Sequence, residues 1–314
     1  MSKFGFLVLL LTIFSIQESN ATSYSHASLS DLYKKADAVV YGKVVRFEEI
    51  AERNTINDKD ELALPPPIFY KGRIAIIITE VIKGNIIETE ICIGNMNDIN
   101  GLGLPEVEIG QNLLLFLFKG IKEEKYICFS MGRQFTGRDI PSEEYKIYKQ
   151  KLTSLQSVLN IKDPKVREQH YINWMISCVK EPLTKWDGIF DLKNKKHVGR
   201  KDVELVANPY QLNTTQYNEL CDIVYQAKEL SYDNIQLIAY LYESRENKEL
   251  LAFLSQEFNE IKVNKDNFSK LRECTLLIAK LSKRSDLTEL SAYINSSEPM
   301  STRLKKIKEF KKKI

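Results

Sequence analysis

Residues 69–82 read FYKGRIAIIITEVI, and this run decides the fold. Ile74, Ile76 and Ile78 alternate with Ala75, Ile77 and Thr79, a period-two pattern with apolar residues on both sides. A strand this long exceeds the usual ~5–6 residues and is expected to curve, which suits a barrel better than a flat sheet. The flanking sequence supplies the other staves. Residues 38–47 carry Val39, Val40, Val44 and Val45, after a short helical stretch, 28–35, with Leu29, Leu32 and Tyr33. Lys83-Gly84-Asn85 is a turn signal leading into a third strand over 86–93. A Gly-rich loop spans 94–110. Residues 112–119 are apolar on both faces and read as a central strand, and Lys119-Gly120 turns the chain into a fifth strand over 125–131.

From Ser142 onward the period becomes 3.6. Ser142, Glu143 and Glu144 open one helix, and Asp163-Pro164 opens the next with an N-cap and a first-turn proline. That helix places Val166, His170, Tyr171, Trp174, Met175 and Cys178 on one stripe. Thr184 with Asp187, and Asn213 with Gln216, have capping-box spacing. Stripes follow at Ile235, Ile238 and Leu241, then Leu250, Leu254 and Phe258, then Leu271, Cys274 and Ile278. No repeat of fixed period is visible. The expected fold is α+β, a five-stranded OB-like β-barrel (22–140) followed by an all-α domain of helical hairpins, HEAT-like or a bundle (141–314).

The N-terminus reads as an export signal. Lys3 precedes a nearly unbroken apolar run over residues 4–16, and Ser19-Asn20-Ala21 places small residues at −3 and −1, so cleavage is expected between Ala21 and Thr22. The run is shorter than the ~20 residues that span a bilayer. The expected product is soluble and periplasmic or secreted.

The motif order helix, Ala36-Asp37-Ala38-Val39-Val40-Tyr41-Gly42-Lys43-Val44, then Glu80-Val81-Ile82-Lys83-Gly84, then Glu108-Ile109-Gly110 with Leu113 to Leu117, covers roughly a third of the chain. In this order the chain resembles secreted bacterial proteins whose domain is related to the OB-fold of netrins and tissue inhibitors of metalloproteinases. The resemblance implies a barrel used as an interaction surface. Members of the inhibitor family chelate a target zinc through a mature N-terminal Cys. Here the expected mature N-terminus is Thr22-Ser23-Tyr24, and the first cysteine is Cys92. Inhibition by that route is therefore not expected.

Chemistry-bearing patterns are sparse. Of the five cysteines, Cys92 and Cys128 fall on the third and fifth strands, where they are either a disulfide or two small apolar residues. Cys178, Cys221 and Cys274 lie on apolar helix stripes. The three histidines, His26, His170 and His197, have no metal-binding spacing, and neither a P-loop nor a nucleophile elbow occurs. The acidic loop at Asn54, Asn57, Asp58, Asp60 and Glu61 lacks the glycine and distal glutamate of an EF-hand. No cofactor is implied. The balance of 45 basic and 42 acidic residues gives +3, too weak to indicate a nucleic-acid binder, so Arg46, Lys71 and Arg73 read as a solvated barrel face.

The strong charge cluster is residues 303–313, seven basic residues against Glu309, net +6, which leaves the rest of the chain at −3. Leu304, Ile307 and Phe310 share one face. This segment is either a helix lying on anionic lipid, with Lys305, Lys306, Lys308 and Lys312 as the membrane-surface residues, or the last helix of the bundle. The functional expectation is an exported, non-catalytic protein that binds a protein partner through the loops 48–67 and 94–110. The alternatives are a cell-envelope enzyme of unrecognised type and a peripheral membrane protein held by the basic helix.

Overall fold

Strand β4, Asn112–Lys119, is buried from residue 113 to 117, and its two faces serve two different cores. Leu113, Leu115 and Leu117 point into the sheet's concave interior with Val40, Val44, Ile74, Ile76, Ile91 and Ile93. Leu114 and Phe116 point the other way and join Val39 and Tyr41 in a core shared with the helices. The computed structural model describes residues 27–49, 72–95, 108–119, 126–128, 139–193, 210–227 and 229–314.

The chain is α+β, an N-terminal antiparallel sheet followed by helices. Helix α1, Leu29–Lys35, precedes β1, Ala38–Glu49, which pairs antiparallel with both β4 and β2, Gly72–Lys83. Strand β3, Glu90–Asn95, pairs antiparallel with β2. The register of β1 on β2 slips between Val39 and Val40, Tyr41 and Gly42, and Val44 and Arg46. Such irregularities bend a strand and raise its twist, which curls the sheet. Gly42 sits at one slip, where an added Cβ would lie 2.6 Å from the Ile77 carbonyl oxygen.

Two strand expectations are corrected. The third strand starts at Glu90, because Gly84 turns with φ +88° and residues 85–88 continue the connection. Five full strands become a four-stranded half-barrel, β4-β1-β2-β3. The fifth segment, β5, is three residues, Tyr126–Cys128, set parallel to β3 and antiparallel to β4. It lies between the edges β3 and β4 and touches them only at Ile93 to Asn95 and at Leu117 to Lys119.

The helices are α2, Ser142–Leu159; α3, Pro164–Lys180; α4, Lys185–Lys193; α5, Thr214–Tyr225; α6, Tyr232–Ser244; α7, Lys248–Glu260; α8, Phe268–Ser282; α9, Ser285–Ile294; and α10, Met300–Lys313. Asp163 caps α3 through its carboxylate, which accepts from Lys165 N (2.8 Å) and Val166 N (3.0 Å). Asn213 and Gln216 form the expected reciprocal box at α5. The apolar stripe of α3 starts at Tyr171 rather than Val166, since Val166 and His170 are exposed. Helices α4, α6, α8 and α10 pack on one another in turn, and α3, α5, α7 and α9 interleave with them. Among the described residues, no helix is long and apolar enough to cross a membrane. The expected leader, residues 1–21 with Ala21 and Thr22, lies outside the described residues.

Candidate functional site

The motifs that carried the family resemblance prove to be joints of the fold. Lys83 Nζ donates to the carbonyls of Tyr33 (2.6 Å) and Ala36 (2.6 Å), closing the C-terminus of α1, and burial lowers its pKa. Asp37 Oδ2 accepts from Lys119 N (2.8 Å). Tyr41 stacks on Tyr145 of α2, with ring centroids 3.8 Å apart, and its hydroxyl donates to Ile140 O (2.9 Å). Glu80 accepts from Tyr145 Oη (2.6 Å) and pairs with Lys149 (2.5 Å). Those two partners hold its carboxyl below the usual glutamate range. These residues hold sheet to helix, and each polar group among them is engaged by a neighbour within the fold.

A second polar cluster lies under α1. Ser30 Oγ donates to Asp191 Oδ2 (2.6 Å), and Tyr171 Oη donates to the same oxygen (3.1 Å). The two hydroxyls lie 2.7 Å apart. Lys34 Nζ donates to Tyr171 Oη (2.9 Å) and sits 4.2 Å above its ring. Asp187 Oδ1 accepts from Leu29 N (2.8 Å), placing a carboxylate at the N-terminus of α1. Thr184, its expected capping partner, donates to Cys178 O (3.1 Å). Burial, with the charge of Asp31, raises the pKa of Asp191, and burial together with Asp191 drives the Tyr171 phenol well above its ordinary value. A serine beside a carboxylate is a nucleophile and base in outline. Here Ser28, Ser30, Asp187 and Asp191 are all buried, and the donors are turned on one another. The cluster is a clasp that binds α1 to α3 and α4.

The exposed composite surface lies on α4, α6 and α8. Lys193 Nζ of α4 donates to Gln236 Oε1 of α6 (2.5 Å), and Lys280 of α8 pairs with Glu243 of α6 (2.5 Å). Burial lowers the Lys193 pKa, while Glu243 raises it and Lys280 lowers it, and with Gln236 these side chains form one row across three helices. Trp186 and Phe190, one turn apart, stack with centroids at 4.7 Å. Tyr232 (54% exposed) and Leu276 (42%) complete the face at helical spacing from Gln236 and Lys280.

The structure separates the tail lysines. Lys305, Lys308 and Lys312 are exposed along one side of α10. Lys306 turns inward to Glu309 (2.7 Å) and the Tyr293 ring. The β3 register puts Cys92 opposite Ala75 and Cys128 opposite Asn95. The Cys128 side chain, which would decide between a disulfide and two small apolar residues, lies outside the described residues, as do most of the loops 48–67 and 94–110. Among the described residues, no group of three or more His, Cys, Asp and Glu side chains is arranged to hold a metal. Burial pushes the Cys178 thiol up to about 12.

Sequence reasoning missed the clasp because Ser30 and Asp191 are 161 positions apart. One local signal was available, as Asp187 and Asp191 stand four apart on the same side of a helix that buries Ile189 and Leu192. No family model and no curated protein matches the sequence.

Proposed function

We infer that this is an exported, non-catalytic interaction protein, in which an OB-like half-barrel of the netrin and metalloproteinase-inhibitor type is fused to HEAT-like stacked helices. Its partner is a protein. The observation that carries the reading is the row Lys193, Gln236, Glu243 and Lys280, laid across three helices and flanked by Trp186, Phe190, Tyr232 and Leu276. Paired charges beside half-buried and exposed aromatic and aliphatic side chains are the composition of a protein-binding patch. The leader sequence supports export. The enclosure of Ser30 and Asp191 weighs against an enzyme.

The test is affinity capture from a cell-envelope fraction with the wild-type chain and with a Tyr232→Asp, Leu276→Asp variant of unchanged thermal midpoint. One protein retained in stoichiometric amount by the wild type and lost by the variant is the expected result. Equal retention by both, or none by the wild type, overturns the reading.

A further inference from the structure

Helix α10 has already spent its apolar face. Ile307 and Phe310 are fully buried, and Leu304 is half-buried against the helical core. The ring of Phe310 meets Phe258 edge to face at 5.8 Å. An amphipathic helix lies on a bilayer by sinking such residues into it, and here none is free to sink. Four of the seven basic groups already have a partner within the chain. Arg303 donates to Ser296 O (3.2 Å) over the Phe268 ring. Lys311 closes the carbonyl end of α7 through Asn259 O (3.0 Å) and Ile261 O (2.5 Å). Lys306 pairs with Glu309, and Lys313 with Asp286 (3.5 Å).

That leaves Lys305, Lys308 and Lys312. At spacings of three and four they fall on one side of the helix with Ser301, and all four are exposed. The stripe is about 10 Å long at ~1.5 Å per residue. Among the described residues, none of the three lysines has a salt-bridge partner. None of the large exposed apolar side chains of the described residues belongs to α9 or α10. A surface for single-stranded nucleic acid interleaves its cations with aromatic platforms, and this one has none. With +6 on residues 303–313 and −3 on the rest, the chain also carries the charge asymmetry that turns one end toward an anionic plane.

We propose that the Lys305, Lys308 and Lys312 stripe is a docking surface for a bilayer rich in anionic lipid, holding the protein against the headgroups by charge alone and inserting nothing. The contact is consequently reversible by salt.

The experiment is co-sedimentation of the chain from Thr22 onward, which keeps every described residue. The vesicles are a one-to-two mixture of phosphatidylglycerol and phosphatidylcholine, or phosphatidylcholine alone. Binding to the mixed vesicles only, at about 0.1 M salt, and its loss at about 0.5 M, is expected as screening shortens. Lys305→Gln, Lys308→Gln, Lys312→Gln should lower the partition coefficient about 100-fold, at roughly 5-fold per lysine near the surface. The control variant Lys162→Gln, Lys165→Gln, Lys248→Gln changes the net charge equally at exposed positions elsewhere and should retain most of the binding. All six sites are exposed, so circular dichroism should show both variants folded. The proposal falls if wild type ignores the mixed vesicles, if binding survives high salt, or if the two triple variants lose equally. It falls also if a single-stranded oligonucleotide binds the stripe more tightly than the vesicles do.

Discussion

Replacing Asp191 tests whether the clasp under α1 stabilises the molecule. In Asp191→Leu, Ser30 Oγ and Tyr171 Oη lose the oxygen to which both donate, at 2.6 and 3.1 Å, in a site closed to water. A hydrogen bond to a charged group contributes about 1.5–3 kcal/mol net, so two amount to about 3–6 kcal/mol. Removing a buried carboxylate returns about 1–2 kcal/mol of desolvation. The expected loss is about 2–4 kcal/mol, or roughly 3–6 °C in thermal midpoint for a chain of this size. Asp191→Asn keeps the shape and an acceptor oxygen, and should stay within about 1 kcal/mol of wild type at neutral pH.

The pair also separates charge from shape. Burial raises the Asp191 pKa above 3.8 in the folded state, so the folded chain holds this proton at a pH where the unfolded chain has released it. Stability from this group is therefore full below the unfolded pKa and is lost as pH rises through the folded one. Wild type should lose stability relative to Asp191→Asn on going from about pH 4 to 7. Urea melts of the three proteins across that range measure both effects. A cost below about 1 kcal/mol for Asp191→Leu, or parallel pH profiles for wild type and Asp191→Asn, would refute the reasoning.

Two further outcomes follow from packing. Gly42→Ala drives a methyl to within 2.6 Å of Ile77 O and 2.7 Å of Ile76 Cγ2, and should cost about 2 kcal/mol or more in urea melts; a change under half of that would mean β1 and β2 part easily. Phe310→Ala empties a fully buried site against Phe258 and should cost about 3–5 kcal/mol by thermal melting, whereas an unchanged midpoint would place α10 outside the cooperative core.

The elements were largely legible in the sequence because each is written locally. Residues 112–119 announced a doubly buried strand through the absence of any polar residue inside it, and Asp163-Pro164 and Asn213 with Gln216 announced helix starts through side chains that reach only two or three residues. The three-residue length of β5 was not legible, because its partners on β3 and β4 are distant in sequence. The exposed row was hidden for the same reason. Lys193 and Gln236 are 43 positions apart, and only the stacking of α4 on α6 makes them neighbours. The family-like motif was visible yet pointed to packing. Lys83, Asp37, Tyr41 and Glu80 are held by the fold's own contacts, with backbone carbonyls, a backbone amide and α2 as their partners.

Strand β4 bears on how this chain can be divided. Its Leu114 and Phe116 share one apolar core with Val39, Tyr41, α1 and the later helices, and Tyr41 stacks on Tyr145 of α2, so a fragment ending at residue 140 would keep α1 but bare the rest of that face to water. The half-barrel is thus no portable cassette. A gene rearrangement that parted it from its helices would yield a sticky remnant in place of two working halves.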